Sequence, residues 1–232
     1  MTNGVRRRMP VEQRREQLIA VALDLFGSRS PDDVSMDDVA AAAGISRPLV
    51  YHYFPGKQSL YEAALRRAAR QLADLLAEPR EGPLGPRLLR VLHRFFDFVE
   101  QHGPGFSALM RSGPAAADSE ACAVVGEVRR AAYEEVLGHL GVVSAPPRLE
   151  LAVRSWISLT ETTALLWLDD RHIPRGELEA QLVRTFAAIT AVSASYCPEM
   201  TDVLRDVLVG EPEDSPFFEL AAGLGMLVAQ PG

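Results

Sequence analysis

An all-α fold follows from three features of the sequence. Apolar residues recur at intervals of three and four over most of the chain, the period of a helix face. No stretch alternates apolar and polar residues for long enough to make a useful strand. Clusters of Gly and Pro separate the periodic segments, where they act as punctuation. The expected architecture is an N-terminal three-helix head containing a helix-turn-helix, followed by a larger helical body.

The elements follow in order. Residues 1–10 are polar and basic and are expected to be a disordered tail. A first helix is expected over 11–26, with Leu18, Ile19, Ala22, Leu25 and Phe26 on one face and Gly27 as its C-terminal cap. A short helix follows over 35–42. Ser35 is placed to cap it, and Asp38 three residues on completes a capping-box pattern. Val39 and Ala43 form its inner face. Ala43-Gly44-Ile45-Ser46 reads as a tight turn, Ser46 as the next cap, and Pro48 sits in a first turn where a missing N–H is harmless. Phe54-Pro55-Gly56 ends that helix, and another runs from about 58 to 77. The segment 78–86, rich in Pro and Gly, reads as a loop. Helices are then expected over 87–101, 118–140, 148–171 and 176–196, with a shorter one near 199–209. One short helix fits within 103–114, and 217–228 fits either a docked helix or a loose tail. The domain division is therefore 1–10 tail, 11–61 head and 62–232 body.

Bulk properties exclude several classes. The longest charge-free run, Thr185 to Pro198, has 14 residues, short of the roughly 20 needed to cross a bilayer. Arg6-Arg7-Arg8 is not followed by an apolar segment, so a secretory leader is not expected. Cys122 and Cys197 lack metal-ligand spacing, which suits a reduced, cytoplasmic protein. The net charge of −7 is unevenly spread. Residues 1–70 hold eleven basic and eight acidic side chains, and the remainder thirteen and twenty-three. A basic head on an acidic body confines any attraction for polyanions to one end. No phosphate-binding glycine loop, nucleophile elbow, metal-binding helix motif or paired-cysteine motif is present. The densest polar cluster, Asp169-Asp170-Arg171-His172, lies at an expected helix end, where charge is routine. No enzyme activity, metal or cofactor is expected.

The segment from Ser35 to Lys57 carries the functional signal. Small Ala40 and Ala43 let two helices cross closely, and Gly44 gives the turn its backbone freedom. Ile45, Val50 and Phe54 make the inner face of the second helix. Arg47, Pro48, Leu49, Tyr51, His52 and Tyr53 are left largely outside, an unusual load of aromatic and basic surface for a short helix. Together with Leu18-Ile19, Ala22, Leu25-Phe26-Gly27, Val39-Ala40, Ala43-Gly44-Ile45-Ser46, Tyr51-His52-Tyr53-Phe54, Lys57 and Leu60-Tyr61, this segment resembles the TetR family of bacterial transcriptional regulators over roughly residues 14–62. Beyond residue 62 the likeness is one of length and helical layout.

The resemblance implies a role for each matching position. Arg47, Pro48 and Leu49 match base-reading positions: an arginine can chelate guanine O6 and N7, and Pro48 or Leu49 can pack on a thymine methyl. Leu49 departs from the Thr or Ser common there, which favours apolar contact. Tyr51 and His52 match contacts to base edges or phosphates, and Tyr53 and Lys57 match phosphate contacts. Lys57 is the only lysine in the chain. Ser35 and Met36 match a helix N-terminus whose backbone N–H groups can hold a phosphate. Asp37 and Asp38 are expected to turn away from that phosphate. Arg6–Arg8 fit either an arm along the minor groove or a solvated tail.

In the body, 148–171 is apolar almost all round, and 176–196 carries Leu178, Leu182, Phe186, Ile189 and Val192 among small alanines. The resemblance implies that these helices pair with their copies in a homodimer; the residues alone fit a monomer core equally. Phe95, Phe98, Phe106, Met110, Tyr133, Trp156 and Thr160 are candidates to line a site for a small, largely apolar effector, or to fill an ordinary core. Arg111 and Glu161 either orient a polar ligand group or lie at the surface. The expected function is that of a DNA-binding transcriptional regulator, a repressor released from a pseudo-palindromic operator by the effector. The rival readings are a DNA-binding regulator that answers to a protein partner, and a helical ligand carrier that binds no DNA.

Overall fold

The computed structural model describes residues 9–111, 120–196, 198, 201–203, 205 and 210–218. Arg6–Arg8 lie outside them, as do most residues of the helix expected near 199–209 and of the segment 217–228. The elements are α1 (Val11–Ser28), a 3₁₀ turn (Pro31–Asp33), α2 (Met36–Ala43), α3 (Arg47–Tyr53), α4 (Lys57–Leu76), α5 (Leu84–Gln101), α6 (Gly103–Arg111), α7 (Glu120–His139), α8 (Pro147–Asp169) and α9 (Arg175–Ala194). Among the described residues there is no strand. They fall into two compact units, one drawn from Met1–Arg70 with Gln101–Val124, the other from Gln71–Glu100 with Val125–Gly232.

The first unit is built on a core of Leu18, Ile19, Ala22, Phe26, Val34, Met36, Val39, Val50, Phe54 and Leu60. Phe26 of α1 meets Tyr61 of α4 edge to face, with ring centroids 5.0 Å apart. The α2–α3 corner is closed as the sequence requires. Gly44 takes φ 65°, a left-handed conformation that a side chain disfavours. The Gly44 and Ile45 amides then donate to the carbonyls of Ala41 and Ala40 at 3.1 and 3.0 Å, satisfying the last acceptors of α2. Gly27 behaves otherwise than expected. It does not cap α1 but lies inside the last turn, where a Cβ would stand 2.6 Å from His102 Nδ1. The same closeness recurs at Gly105 of α6, whose Cβ would stand 2.4 Å from the Phe26 carbonyl oxygen. These two glycines let α6 rest directly on the backbone of α1. Burial holds the His102 imidazole below its ordinary pKa, against the opposing pull of Asp24.

The second unit packs α8 against α9. The Trp156 indole N–H donates to the Leu182 carbonyl at 2.8 Å, and its ring meets Phe186 edge to face at 5.0 Å. Phe96 joins Trp167 in the same geometry at 5.5 Å. Arg175 at the start of α9 gathers carboxylates from two helices: Asp97 at 2.7 Å, Glu100 at 2.8 Å and Glu179 at 2.6 Å. Helix α5 begins three residues earlier than expected. Pro86 falls in its first turn, and the Gly85 N–H, a donor with no partner inside the helix, donates to Glu211 Oε1 at 2.8 Å. A cap supplied from 126 residues away leaves no local mark. Buried His139 accepts from Arg87 Nη1 at Nδ1, 3.0 Å away. Burial first, then Arg87, hold its pKa below the ordinary value.

Candidate nucleic-acid interface

Helix α3 has seven residues, and its orientation is fixed from beneath. Val50 has no exposed surface and Phe54 almost none, and Arg15 of α1 lies over the Phe54 ring at 5.1 Å. With that side anchored, Arg47, Pro48, Leu49, Tyr51 and His52 are all exposed. Leu49 and Tyr51 keep 37% and 40% of their surface open to solvent, well above the core residues beneath them. Tyr53 is an intermediate case. It packs partly on the core, with the His52 ring edge-on at 5.2 Å.

The entry to α3 differs from expectation. Ser46 occupies the N-cap position, but its side chain makes no capping bond. Such a hydroxyl would seek the second or third helical N–H. The second belongs to Pro48 and does not exist, and the Leu49 N–H donates instead to the Ser46 carbonyl at 3.0 Å. Proline's preset φ supports the first turn in place of the cap.

Helix α2 is capped in full. Asp38 N–H donates to Ser35 Oγ at 3.1 Å, and Ser35 N–H donates to Asp38 Oδ2 at 2.8 Å. The Ser35 bonds hold the Asp38 carboxyl below its usual range, with Arg29 adding to the effect. Met36 puts its side chain into the core, so only its backbone is free for a phosphate. Lys57 opens α4, and its ammonium donates to the Asp32 carbonyl at 3.2 Å. Asp38 is turned into the capping box, and Asp37 is turned toward α3. It meets Arg47 Nη1 at 3.0 Å. Arg47 also reaches the Tyr51 hydroxyl at 3.5 Å and lies over that ring at 5.5 Å. Tyr51 and Asp37 together raise the guanidinium pKa above its ordinary value. The site thus presents a fixed cation, an apolar edge at Pro48 and Leu49, and flanking N–H, hydroxyl and ammonium donors. Those are the groups that read base edges and hold phosphates.

This segment matches the model of bacterial regulatory proteins, tetR family, over residues 18–64. Residues 84–189 match the tetracyclin repressor-like C-terminal domain. A solved tetR-family transcriptional regulator from Streptomyces coelicolor is 65% identical, covers 96% of this chain and all of its own, and superposes with a TM-score of 0.92. The chain belongs to the TetR family. Among curated relatives, the HTH-type transcriptional activator FasR of Mycolicibacterium smegmatis is 31% identical over 45% of this chain and 49% of its own length. The regulator EthR of Mycobacterium tuberculosis is 38% identical over 31% and 33%. The chain therefore spans half or less of the length of these curated relatives.

The candidate effector residues of this TetR-family chain are distributed over both units. Phe106 and Met110 fall in the first; Phe95, Phe98, Tyr133, Trp156 and Thr160 fall in the second. Phe95, Phe98, Phe106, Trp156 and Thr160 are buried. The Thr160 hydroxyl donates to the Trp156 carbonyl at 2.9 Å. Tyr133 lies under Arg154, 4.4 Å from its ring centroid. Arg111 is exposed. Glu161 is engaged by Arg129 through three contacts of 2.7–3.0 Å. A groove of about 480 Å³, lined by Ile173, Gly176, Glu177, Ala180, Gln181 and Arg184, contains none of the candidates. Among the described residues no helix is long and apolar enough to cross a membrane. The contact between Asp37 and Arg47 is the feature of this surface that the sequence does not show. Their spacing of ten crosses a turn, so no helical period marks the pair.

Proposed function

We propose that this protein is a homodimeric, cytoplasmic DNA-binding transcriptional regulator that recognises a pseudo-palindromic operator with α3. Residues 11–61 act as the reading head and 62–232 as the effector and dimer domain. The observation that carries the reading is the two-sided build of α3: Val50 and Phe54 clamp it from below, while Arg47, Pro48, Leu49, Tyr51 and His52 stand together outside. Arg47, Pro48 and Leu49 face base edges, as Tyr51 and His52 can. Tyr53, Lys57 and the Met36 backbone hold phosphates, and Ser35, whose N–H and hydroxyl both go to Asp38, shapes the helix N-terminus behind them. Two copies place their α3 helices in successive major grooves, about 34–36 Å apart.

Dimerisation is supported by a stripe on α8, where Leu151, Ser155, Leu159, Thr162 and Leu166 are exposed on one face. Leu151 and Leu166 keep 67% and 63% of their surface open, and Val192 on α9 keeps 63%. Exposed leucines aligned on one helix face suit a surface that a partner covers. The effector is a small, largely apolar molecule acting through the second unit, against Phe95, Phe98, Tyr133, Trp156 and Thr160, and DNA release makes the protein a repressor. The internal bonds of Trp156 and Thr160 favour a second reading, in which these residues are plain core and a protein partner supplies the signal.

The test is binding to duplexes selected from a random pool. Arg47→Ala should relax base choice at one position per half-site and weaken binding by about 1–3 kcal/mol. Lys57→Ala should weaken binding on every sequence and lower the salt slope by about one unit per site. Binding without sequence preference in the native chain would sink the reading.

A further inference from the structure

We propose that Asp37 is a specificity-determining residue that positions Arg47 for base reading; the proposal rests on the operator-reading role of α3. Asp37 and Arg47 stand on different helices, joined across the α2–α3 turn by a 3.0 Å contact between carboxylate and Nη1. Both side chains are more than half exposed, so neither is forced together by burial. The third member is Tyr51, one helical turn beyond Arg47. Its hydroxyl lies 3.5 Å from Nη2 and its ring lies beneath the guanidinium. The carboxylate on Nη1, the hydroxyl near Nη2 and the ring below together narrow the range of positions open to the guanidinium.

That restriction matters for base choice. A free arginine on a helix surface samples many rotamers, and can satisfy itself on phosphates or on several bases. Guanine recognition requires two parallel N–H donors aimed at O6 and N7. Arg47 has five such hydrogens. With one given to Asp37 and one directed at Tyr51, enough remain for the pair on guanine, and the plane that carries them is set in advance. The arrangement also answers the charge problem at the α2 N-terminus. Asp37 would repel a phosphate held by the Met36 N–H, but beside Arg47 its charge is compensated.

The opposite role for the same pair is a latch, in which Asp37 holds Arg47 away from DNA and lowers all binding alike. The two roles differ in base preference, which helix stability alone would not move. Full-length native protein, Asp37→Ala, Asp37→Asn, Arg47→Ala and the double variant Asp37→Ala/Arg47→Ala are each used to select from a randomised duplex pool. Affinity for a random duplex and thermal unfolding are measured alongside. Arg47→Ala should erase the guanine preference at one position per half-site; if it does not, the base-reading role itself fails, whatever Asp37 does. With that role intact, Asp37→Ala should reduce the same preference about tenfold and leave other positions unchanged. Asp37→Asn, which keeps an acceptor oxygen and the side-chain volume, should fall between. Random-duplex affinity should hold or rise, since a negative charge is lost, and the double variant should match Arg47→Ala at that position. Tighter binding on all sequences with the guanine preference intact in Asp37→Ala would overturn the proposal in favour of the latch.

Discussion

A single methyl group tests how closely α6 lies on α1. In Gly105→Ala the new carbon would stand 2.4 Å from the Phe26 carbonyl oxygen, 3.3 Å from its carbonyl carbon and 3.4 Å from Gly27 Cα. Carbon and carbonyl oxygen meet at no less than about 3.3 Å even in close C–H···O contacts, so the helices must part by about 0.9 Å. The atoms in the way are backbone and cannot swing aside. Overpacking of this kind costs about 1–3 kcal/mol. Alanine returns at most about 1 kcal/mol of helix propensity, and less in a first turn. The net loss is about 1–2 kcal/mol, or a Tm lower by about 2–8 °C for a chain of this size. Gly126→Ala is the counter-experiment. Gly126 lies in α7 with nothing within 4 Å of its ideal Cβ, so the same change should stabilise by about 0.4–1 kcal/mol. Thermal unfolding followed by far-ultraviolet circular dichroism measures both. A Gly105→Ala protein that melts at or above the native temperature would refute the close-contact reasoning.

Ser35→Ala removes the reciprocal cap of α2 and should cost about 1 kcal/mol in urea unfolding, whereas Ser46→Ala, at a cap that makes no side-chain bond, should cost much less. His139 and His102 are both held below their ordinary pKa by burial. The unfolded chain therefore binds more protons as pH falls below about 6.5. Stability should be full above that value and decline as pH drops toward the folded-state pKa. His139→Gln should flatten that decline in Tm measured from pH 7.5 to 5. Leu166→Asp places a charge on the exposed α8 stripe and should shift the species seen by sedimentation from dimer to monomer without unfolding the chain; an unchanged dimer would remove that stripe from the interface.

The legible parts of this molecule are those whose cause is local. Gly44, Ser35 with Asp38, and the inward trio Val39, Val50 and Phe54 are readable because turn chemistry and helical period act within a few residues. The illegible parts have distant causes. Gly27 has the sequence position of a helix stop, but its actual partner is His102, and the stop is delayed to Ser28. The segment 78–86 contains enough breakers to read as loop throughout, yet Glu211 supplies the acceptor that lets α5 start at Leu84. Ser46 shows the reverse error: a residue type suited to capping meets a proline where its donor should be. In the candidate interface, the outward set on α3 follows from period alone. The Asp37–Arg47 pair does not, because its two members meet only after the turn has folded. For Trp156 and Thr160, composition allowed either a core or a ligand wall, and the sequence contained nothing to show that their polar atoms would be satisfied by neighbouring carbonyls.

The attachment of Lys57 to the Asp32 carbonyl has a practical corollary. With arginine at every other basic position, this ammonium is the sole side-chain amine on the polypeptide. An amine-acylating reagent therefore has one side-chain amine to modify, and a peptide map separates that mass increment from the one on the terminal α-amine. Reaction there would cancel a charge and leave one N–H in place of three donors for the hydrogen bond that ties the start of α4 to the 3₁₀ turn.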